Sequence, residues 1–160
     1  MPTNFYFNNN AHSGQQNLIE DLIIESIKIY GYDNFYIPRT LVKEDDLFGE
    51  DVLSKFDSAY PIEMYVKNVE GFDGEGEFLS KFNIEVRDQI TFSIAQRRYL
   101  EEIPTGAVKL DEQGERIERP VEGDLIFFPL TGQLYEIKYV DKQPIFYQMG
   151  QLQMYDLRCE

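Results

Sequence analysis

The stretch that decides the fold is Pro120–Val140, which reads PVEGDLIFFPLTGQLYEIKYV. Its first apolar run, Leu125–Phe128, has no polar alternation, so it predicts a strand that is buried on both faces. Pro129–Gly132 has the composition of a turn. Leu134–Val140 then alternates apolar with charged residues, as a half-buried strand does. The stretch therefore predicts a hairpin at the centre of a small β structure.

Further strands are predicted on both sides of this hairpin. The clearest is Asn83–Ala95, in which Ile84, Val86, Ile90, Phe92 and Ile94 share one face. Shorter extended segments are predicted at Asp33–Thr40, Tyr60–Val69, Ile145–Met149 and Leu152–Leu157. Short strands separated by regular turns are typical of a small β-barrel or sandwich, so the predicted fold class is mainly β.

One N-terminal amphipathic helix is predicted at Asn17–Tyr30, where isoleucines recur at helical spacing. Asn17 and Glu20 have the spacing of a capping box at its start. Gly31 is suited to end it. The apolar stripe of this helix fits packing on the core or on a partner subunit, and we expect the core.

The predicted domain organisation is an N-terminal arm, 1–16, followed by a single barrel-like domain, 17–160. The arm contains three adjacent aromatic residues, Phe5-Tyr6-Phe7, which suit either an unstructured tail or a segment that docks on a neighbour. Within the domain, Gln96–Arg119 is charged, polar and interrupted by proline and glycine, so we predict a long loop. Loops of this length are uncommon in compact domains unless they have a function, and contact with a neighbouring subunit would be such a function.

Composition restricts the function. The formal net charge is −14, which disfavours a broad phosphate-binding face. The only cysteine is Cys159, so neither an internal disulfide nor a CxxC zinc site is predicted. No secretory signal is evident, and no apolar run is long enough to span a bilayer, so we predict no membrane partner.

We predict no catalytic residue, no metal site and no cofactor. The only histidine, His12, lies in a polar stretch unsuited to a Ser–His–Asp triad. The Gly-rich acidic loop at Asp73–Glu77 does not have the spacing of a calcium-binding EF-hand loop. No phosphate-binding glycine motif occurs. Two other classes stay open: a free-standing barrel that binds a basic peptide, and a hydrolase that uses a pair of carboxylates.

Several sequence blocks, in order along the chain, resemble the neck protein of T4-like contractile-tailed phages, and especially its marine cyanophage members. The blocks are Glu25–Gly31, Tyr36–Arg39, Leu47–Asp51, Lys55-Phe56, Glu70–Phe72, Phe82–Ile94, Glu122–Pro129 and Phe146–Gln151. They cover most of the chain from about Asp21 onward. Members of that family usually extend beyond the position of Glu160, so the resemblance implies a truncation, either of this sequence or of the natural protein.

The resemblance implies a structural role in the virion neck. A ring of six copies would close the DNA-filled head, offer a docking surface to the tail, and leave a central channel for DNA. The implied partners are further copies of the chain, the head adaptor ring, the tail terminator ring and neck whisker fibres. DNA would pass without sequence-specific binding, and assembly would take place in the host cytoplasm.

Two sets of residues are predicted to act in such a ring. The first would form subunit contacts, because rings built head to tail need two different complementary patches: Phe5, Tyr6, Phe7, Arg97, Arg98 and Tyr99. The second would face the lumen or an adjacent ring, where negative charge lets DNA slide: Glu44, Asp45, Asp46, Glu50 and Asp51.

Overall fold

The structure is a computed structural model, and it describes residues 6, 12–42, 53–70, 89–103, 119–141 and 152–160, with only the backbone described for 68–70. These residues form two helices and eight strands. In chain order they are α1 (Ser13–Tyr30), β1 (Tyr32–Ile37), β2 (Thr40–Leu41), β3 (Ser54–Lys55), β4 (Tyr60–Glu70), β5 (Gln89–Ala95), α2 (Gln96–Glu102), β6 (Leu125–Phe128), β7 (Gln133–Asp141) and β8 (Met154–Cys159).

Six of the strands close into an antiparallel barrel in the order β1-β4-β5-β8-β7-β6, and β6 pairs back to β1. The prediction of a mainly β fold with a barrel and one N-terminal helix is confirmed. The two remaining strands, β2 and β3, pair with each other, and neither belongs to the barrel. Among the described residues, no helix has both the length and the apolar character needed to cross a membrane.

The barrel core follows from the alternation of β5. Ile90, Phe92 and Ile94 point inward and are at most 3% exposed. The ring of Phe92 packs edge-on against Phe128 and Tyr135, with centroid distances of 5.7 and 6.1 Å. Aromatic pairs prefer such edge-on contacts, which add to the energy of burial. The core is thus an aromatic and aliphatic filling supplied by alternate residues of every strand.

The predicted double burial of Leu125–Phe128 is wrong for half of its residues. Ile126 and Phe128 are buried in the barrel, but Leu125 and Phe127 are only partly covered on the outer face. The reason is the closed antiparallel barrel, which has its interior on one face of each strand. Packing in the barrel core therefore does not explain the apolar residues on the outer face of β6.

The predicted start of the N-terminal helix is also wrong. α1 begins at Ser13, because the amides of Gln15 and Gln16 donate to the carbonyl of His12 and add a turn before Asn17. The end at Tyr30 is confirmed, but Gly31 is not left-handed. Glycine is needed there because a Cβ would lie 2.4 Å from the Ile27 carbonyl oxygen and 2.7 Å from that of Met64.

The first part of the predicted loop Gln96–Arg119 is helical instead. α2 forms because its charged residues pair within the helix: the Arg98 guanidinium contacts Glu101 at 2.7 Å and Glu102 at 2.6 Å. Residues 104–118 of that loop lie outside the described residues, as do the predicted strand Ile145–Met149 and the first part of Asn83–Ala95.

Candidate assembly surfaces

An apolar row crosses the outside of the barrel. Phe35 of β1 lies directly opposite Pro61 of β4 and Phe127 of β6, and Phe127 lies opposite Leu134 of β7. Phe35 is 38% exposed and Leu134 is 54% exposed. We call these four residues the apolar wall. With strands about 4.8 Å apart, the row spans roughly 14 Å.

The apolar wall is continuous rather than a set of scattered residues. The rings of Phe35 and Phe127 lie 6.3 Å apart, tilted by 41°. Single exposed apolar residues are ordinary on protein surfaces, but contiguous patches mark interaction sites. In a chain with a net charge of −14, this surface can contact another protein without burying charge.

A different row crosses the other side of the barrel. Ser93 of β5, Asp156 of β8 and Asp141 of β7 lie opposite one another on adjacent strands, and all three are buried. The Lys67 ammonium contacts Asp156 at 2.6 Å, and the Arg158 guanidinium contacts Asp141 at 2.8 Å. We call these five residues the charged wall.

Four residues of the charged wall line a groove of about 480 Å³ that also contains Tyr139: Lys67, Asp141, Asp156 and Arg158. Two buried carboxylates in a groove are what a carboxylate hydrolase needs, but there one of the pair must be protonated. Here each carboxylate has its own cation, and the Ser93 hydroxyl donates to Asp156 at 2.6 Å. The arrangement is that of two charge pairs rather than an acid and a base.

Helix α1 has two apolar faces. Its inner face packs Ile24 and Ile27 against Ala95 of β5. Its outer face carries Leu18, Leu22 and Ile29, which are 58%, 61% and 64% exposed. Burial in the core explains only the inner face, so the outer stripe is a second exposed apolar surface, on the helix that packs on β4 and β5.

Ion pairs connect α1 and α2 to the barrel. Arg97 pairs with Glu20 and Asp21 of α1, and Arg98 pairs with Glu63 of β4 at 2.6 Å. The hydrogen bond to Asp21 raises the pKa of Arg97, and that to Glu63 raises the pKa of Arg98. Both predicted interface arginines are thus engaged within the chain.

Glu63 is the carboxylate at the centre of these pairs. Burial alone would raise the pKa of Glu63, but the hydrogen bond from Arg98 and the nearby charges of Arg98 and Lys28 outweigh it. The pKa therefore lies below its ordinary value. The ion pair holds Glu63 in its charged form, next to the point where α2 meets the barrel.

Tyr99, the third predicted contact residue on α2, is only 2% exposed. Its ring stacks edge-on against Tyr36 at 5.4 Å. The Tyr36 hydroxyl donates to the Asp124 carboxylate, which also accepts the amide of Arg39 at 2.8 Å. Burial, followed by the Asp124 charge, raises the pKa of Tyr36 well above its ordinary value. In this structure Tyr99 therefore serves the barrel core.

Sequence reasoning missed this buried group because it joins residues far apart in the chain. Asp124 fixes the turn before β6: the Gly123 amide donates to the Ile137 carbonyl, and the Ile137 amide donates to the Asp124 carbonyl. Gly123 has a φ of +87°, and a Cβ there would meet the guanidinium of Arg39 at 2.9 Å. Glu122-Gly123-Asp124 begins one of the sequence blocks that resemble the neck protein family, but no local pattern in that block indicates the contacts of Asp124 with Tyr36 and Arg39.

The remaining predicted site residues are only partly described. Tyr6 is 85% exposed, whereas Phe5 and Phe7 lie outside the described residues. So do the acidic residues Glu44, Asp45, Asp46, Glu50 and Asp51. The flanks of the acidic segment are described: β2 and β3 pair, and the Val42 amide donates to the Leu53 carbonyl at 3.3 Å. The two ends of that segment are therefore held together.

The described residues offer little reactive chemistry. Burial raises the pKa of the Cys159 thiol to about 12, which makes it a poor nucleophile. Within the described ranges, no three His, Cys, Asp or Glu side chains are grouped so that they could hold a metal ion. The described surface is thus distinguished by its apolar patches, which suit contacts between proteins.

A small antiparallel barrel that presents apolar patches on its outside has the surfaces that a protein needs to contact other proteins. The comparison with known families agrees: the model of the virus neck protein family matches residues 2–160. The chain belongs to the virus neck protein family. It is a structural component of a virion, located in the neck and associated with other head and tail components. The cyanophage branch stays a prediction, since this match does not distinguish branches.

Proposed function

We propose that the chain forms a ring of six copies in the phage neck, which closes the DNA-filled head and offers a docking surface to the tail. A central channel admits DNA. The observation that carries this proposal is the apolar wall, together with the outer stripe of α1. Rings are built from two different patches on each copy, each fitting the other patch on the next copy.

The ring requires surfaces in three directions. Around the ring, the apolar wall supplies one side of each subunit contact, with the arm residues Phe5–Phe7 as a further element. Above and below, the head adaptor ring and the tail terminator ring are the proposed partners, with neck whisker fibres as an additional contact. Arg97 remains about one-third exposed on α2 and can add a rim charge to such a contact.

The acidic segment between β2 and β3 is proposed to face the lumen or an adjacent ring. Its five acids, Glu44, Asp45, Asp46, Glu50 and Asp51, would repel the phosphates of passing DNA, and exposed charges act over roughly 8 Å at physiological salt. Replacing all five by their amides is expected to make assembled rings retain duplex DNA in a salt-dependent manner. A gel-shift titration measures that retention, and unchanged DNA binding would count against a lumen position.

The ring itself is tested by mass. The purified chain is measured by mass photometry alone and after mixing with the head adaptor ring, and the product is imaged in negative stain. We expect a species of about six subunit masses with a central hole. A monomer alone is compatible with templating by the adaptor, so the mixture decides. A chain that stays monomeric with the adaptor contradicts the ring and favours a free-standing binding module.

A further inference from the structure

The outer stripe of α1 has a definite direction relative to the barrel. At about 100° per residue, Leu18, Leu22 and Ile29 lie along one line of the helix, about 170° from the midpoint between Ile24 and Ile27. Those two isoleucines are the residues that pack against β5, and α1 as a whole packs on β4 and β5. The stripe therefore points straight outward from the position of these two strands.

The apolar wall points in another direction. Its middle residues, Phe35 and Phe127, lie opposite each other on β1 and β6, with Pro61 and Leu134 at its two ends. In the barrel order β6-β1-β4-β5, the midpoint of β6 and β1 lies two strand positions from the midpoint of β4 and β5. Six strands close the circle, so two positions correspond to about 120°.

This angle is the one that a ring of six copies requires. Neighbouring copies in such a ring are rotated by about 60°, so the two contact faces of each copy point outward about 120° apart. Both directions are perpendicular to the barrel axis, because both surfaces lie on the side of the barrel. The barrel axis must therefore run parallel to the ring axis if these two surfaces meet.

The two surfaces also agree in size. Leu18, Leu22 and Ile29 are more than half exposed, and Phe35 and Leu134 lead the wall with 38% and 54%. By residue type, the exposed apolar part amounts to roughly 300 Å² on each surface. A stable interface buries about 800 Å² per partner, with an apolar core inside a polar rim. Each surface thus has the size of such a core, and a second copy carries its counterpart.

We infer that the outer stripe of α1 in one copy covers the apolar wall of the next copy, with every barrel axis parallel to the ring axis. This inference rests on the proposed ring and adds the orientation of each copy within it.

The orientation decides which faces border the channel. The line that bisects the two contact directions of a copy points to the ring axis, so the face formed by β1 and β4 borders the channel. On that face Asp33 lies opposite Glu63, and negative charge suits a channel through which DNA slides. The groove of the charged wall, formed mainly by β5, β8 and β7, then lies on the outside of the ring.

Paired cysteines in the full-length chain test this contact. Leu22→Cys and Phe35→Cys are combined in one chain, and the native Cys159 is buried. After assembly with the adaptor ring, a short bis-maleimide crosslinker is added. We expect a ladder of covalent oligomers of up to six copies, and a yield about tenfold lower in either single variant, where no second cysteine lies within reach.

The matched control combines Leu22→Cys with Lys138→Cys, whose second site lies in the groove. It should give no ladder. If the first pair does not assemble, Leu18→Cys with Phe127→Cys tests the same contact at neighbouring positions.

The outcomes separate this contact from the ring itself. Covalent dimers from Phe35→Cys alone would show that two walls meet each other, and a ladder from the control pair would place the groove in the contact. Either result overturns the inference, as does a ring of normal mass that yields no ladder with either test pair, although the ring proposal then stands. If the parent chain forms no ring with the adaptor, the ring proposal fails and this inference with it.

Discussion

The two outer walls of this barrel belong to one closed sheet and share strand β7, yet they are built from opposite chemistry. On the apolar wall, Leu134 is 54% exposed and has neighbouring strand residues of its own kind. On the charged wall, Asp141 and Asp156 are buried and each is matched by a cation. The carboxylates of the charged wall are thus paired within the chain. The apolar wall, in contrast, is stabilised only when another surface covers it.

This difference separates stability from assembly. Removing the cation from a buried carboxylate leaves that charge without compensation, so the charged wall matters for folding. Exposed apolar residues contribute little to folding, because they lie in water before and after it. In an interface, the same residues carry most of the binding energy. We therefore expect the charged wall to stabilise the fold, and we propose the apolar wall as the subunit contact.

The largest expected effect is the loss of assembly in Leu134→Glu. A charge on the apolar wall would have to be buried in every subunit contact of the ring, which costs at least about 2 kcal/mol per contact. We expect only monomers by mass photometry with the adaptor ring present, and a melting temperature close to that of the parent chain.

The matched control is Tyr139→Glu, which lies on the same strand, is 50% exposed, and belongs to the groove of the charged wall. It should leave assembly unchanged. If both substitutions abolish the ring, or neither does, the distinction between the two walls fails.

The second largest effect concerns the packing of α1 against the barrel. It does not bear on the comparison of the two walls. Gly31→Ala would force a Cβ against the carbonyl oxygens of Ile27 and Met64, and overpacking of this kind costs about 3 kcal/mol. We expect a lower urea midpoint for the whole chain. Gly132→Ala is the comparison: it has a positive φ but open space around it, so its cost is smaller. Equal losses would argue against close packing at Gly31.

A smaller effect is expected for Asp156→Ala on the charged wall. The change leaves the buried Ser93 hydroxyl without its acceptor and removes the partner of Lys67, whose side chain is about half-exposed and can be solvated. The free energy of unfolding should fall by about 1 to 3 kcal/mol. Urea denaturation measures the loss, and mass photometry at a temperature where the variant stays folded should show normal assembly. An assembly defect without a loss of stability would show instead that the charged wall takes part in subunit contact.

The smallest effect is a pH dependence at Glu63, where α2 meets the barrel. Its folded pKa is lower than in the unfolded chain, so the Arg98 pair contributes stability above the ordinary value of 4.5. That contribution is lost as pH falls through the folded pKa. Melting temperatures from pH 3 to 7 should fall more steeply at the acid end for the parent than for Glu63→Gln. Parallel curves would show that the pair adds no pH-dependent stability.

Local patterns in the sequence were sufficient to predict much of the barrel. The alternation of Ile90, Phe92 and Ile94 identified β5 and its inner face, and the apolar run before Pro129 identified β6. The helix end at Tyr30 followed from periodicity. Each of these predictions depends on residues close together in the chain, because the periodicity of one strand or one helix is a local pattern.

The two walls could not be predicted in the same way. Phe35 and Phe127 lie on strands that meet only because β6 closes the barrel onto β1. Likewise, Asp124 is satisfied by Tyr36 and Arg39, which precede it by more than eighty residues. Which strands become neighbours depends on the whole topology. The helix α2 was missed because, besides its internal ion pairs, it is held by Tyr99, which packs on Tyr36 in a distant part of the chain.

The central claim is that the apolar wall is the face through which copies of this chain meet. A cryo-electron microscopy map of the assembled neck tests it most directly, by the solvent exposure of Phe35 and Leu134 in place. The account predicts that both side chains are covered by a neighbouring copy, while the groove beside Asp141 and Asp156 lies outside that contact. A ring in which Phe35 and Leu134 remain exposed to solvent and the copies meet through the charged wall would contradict it.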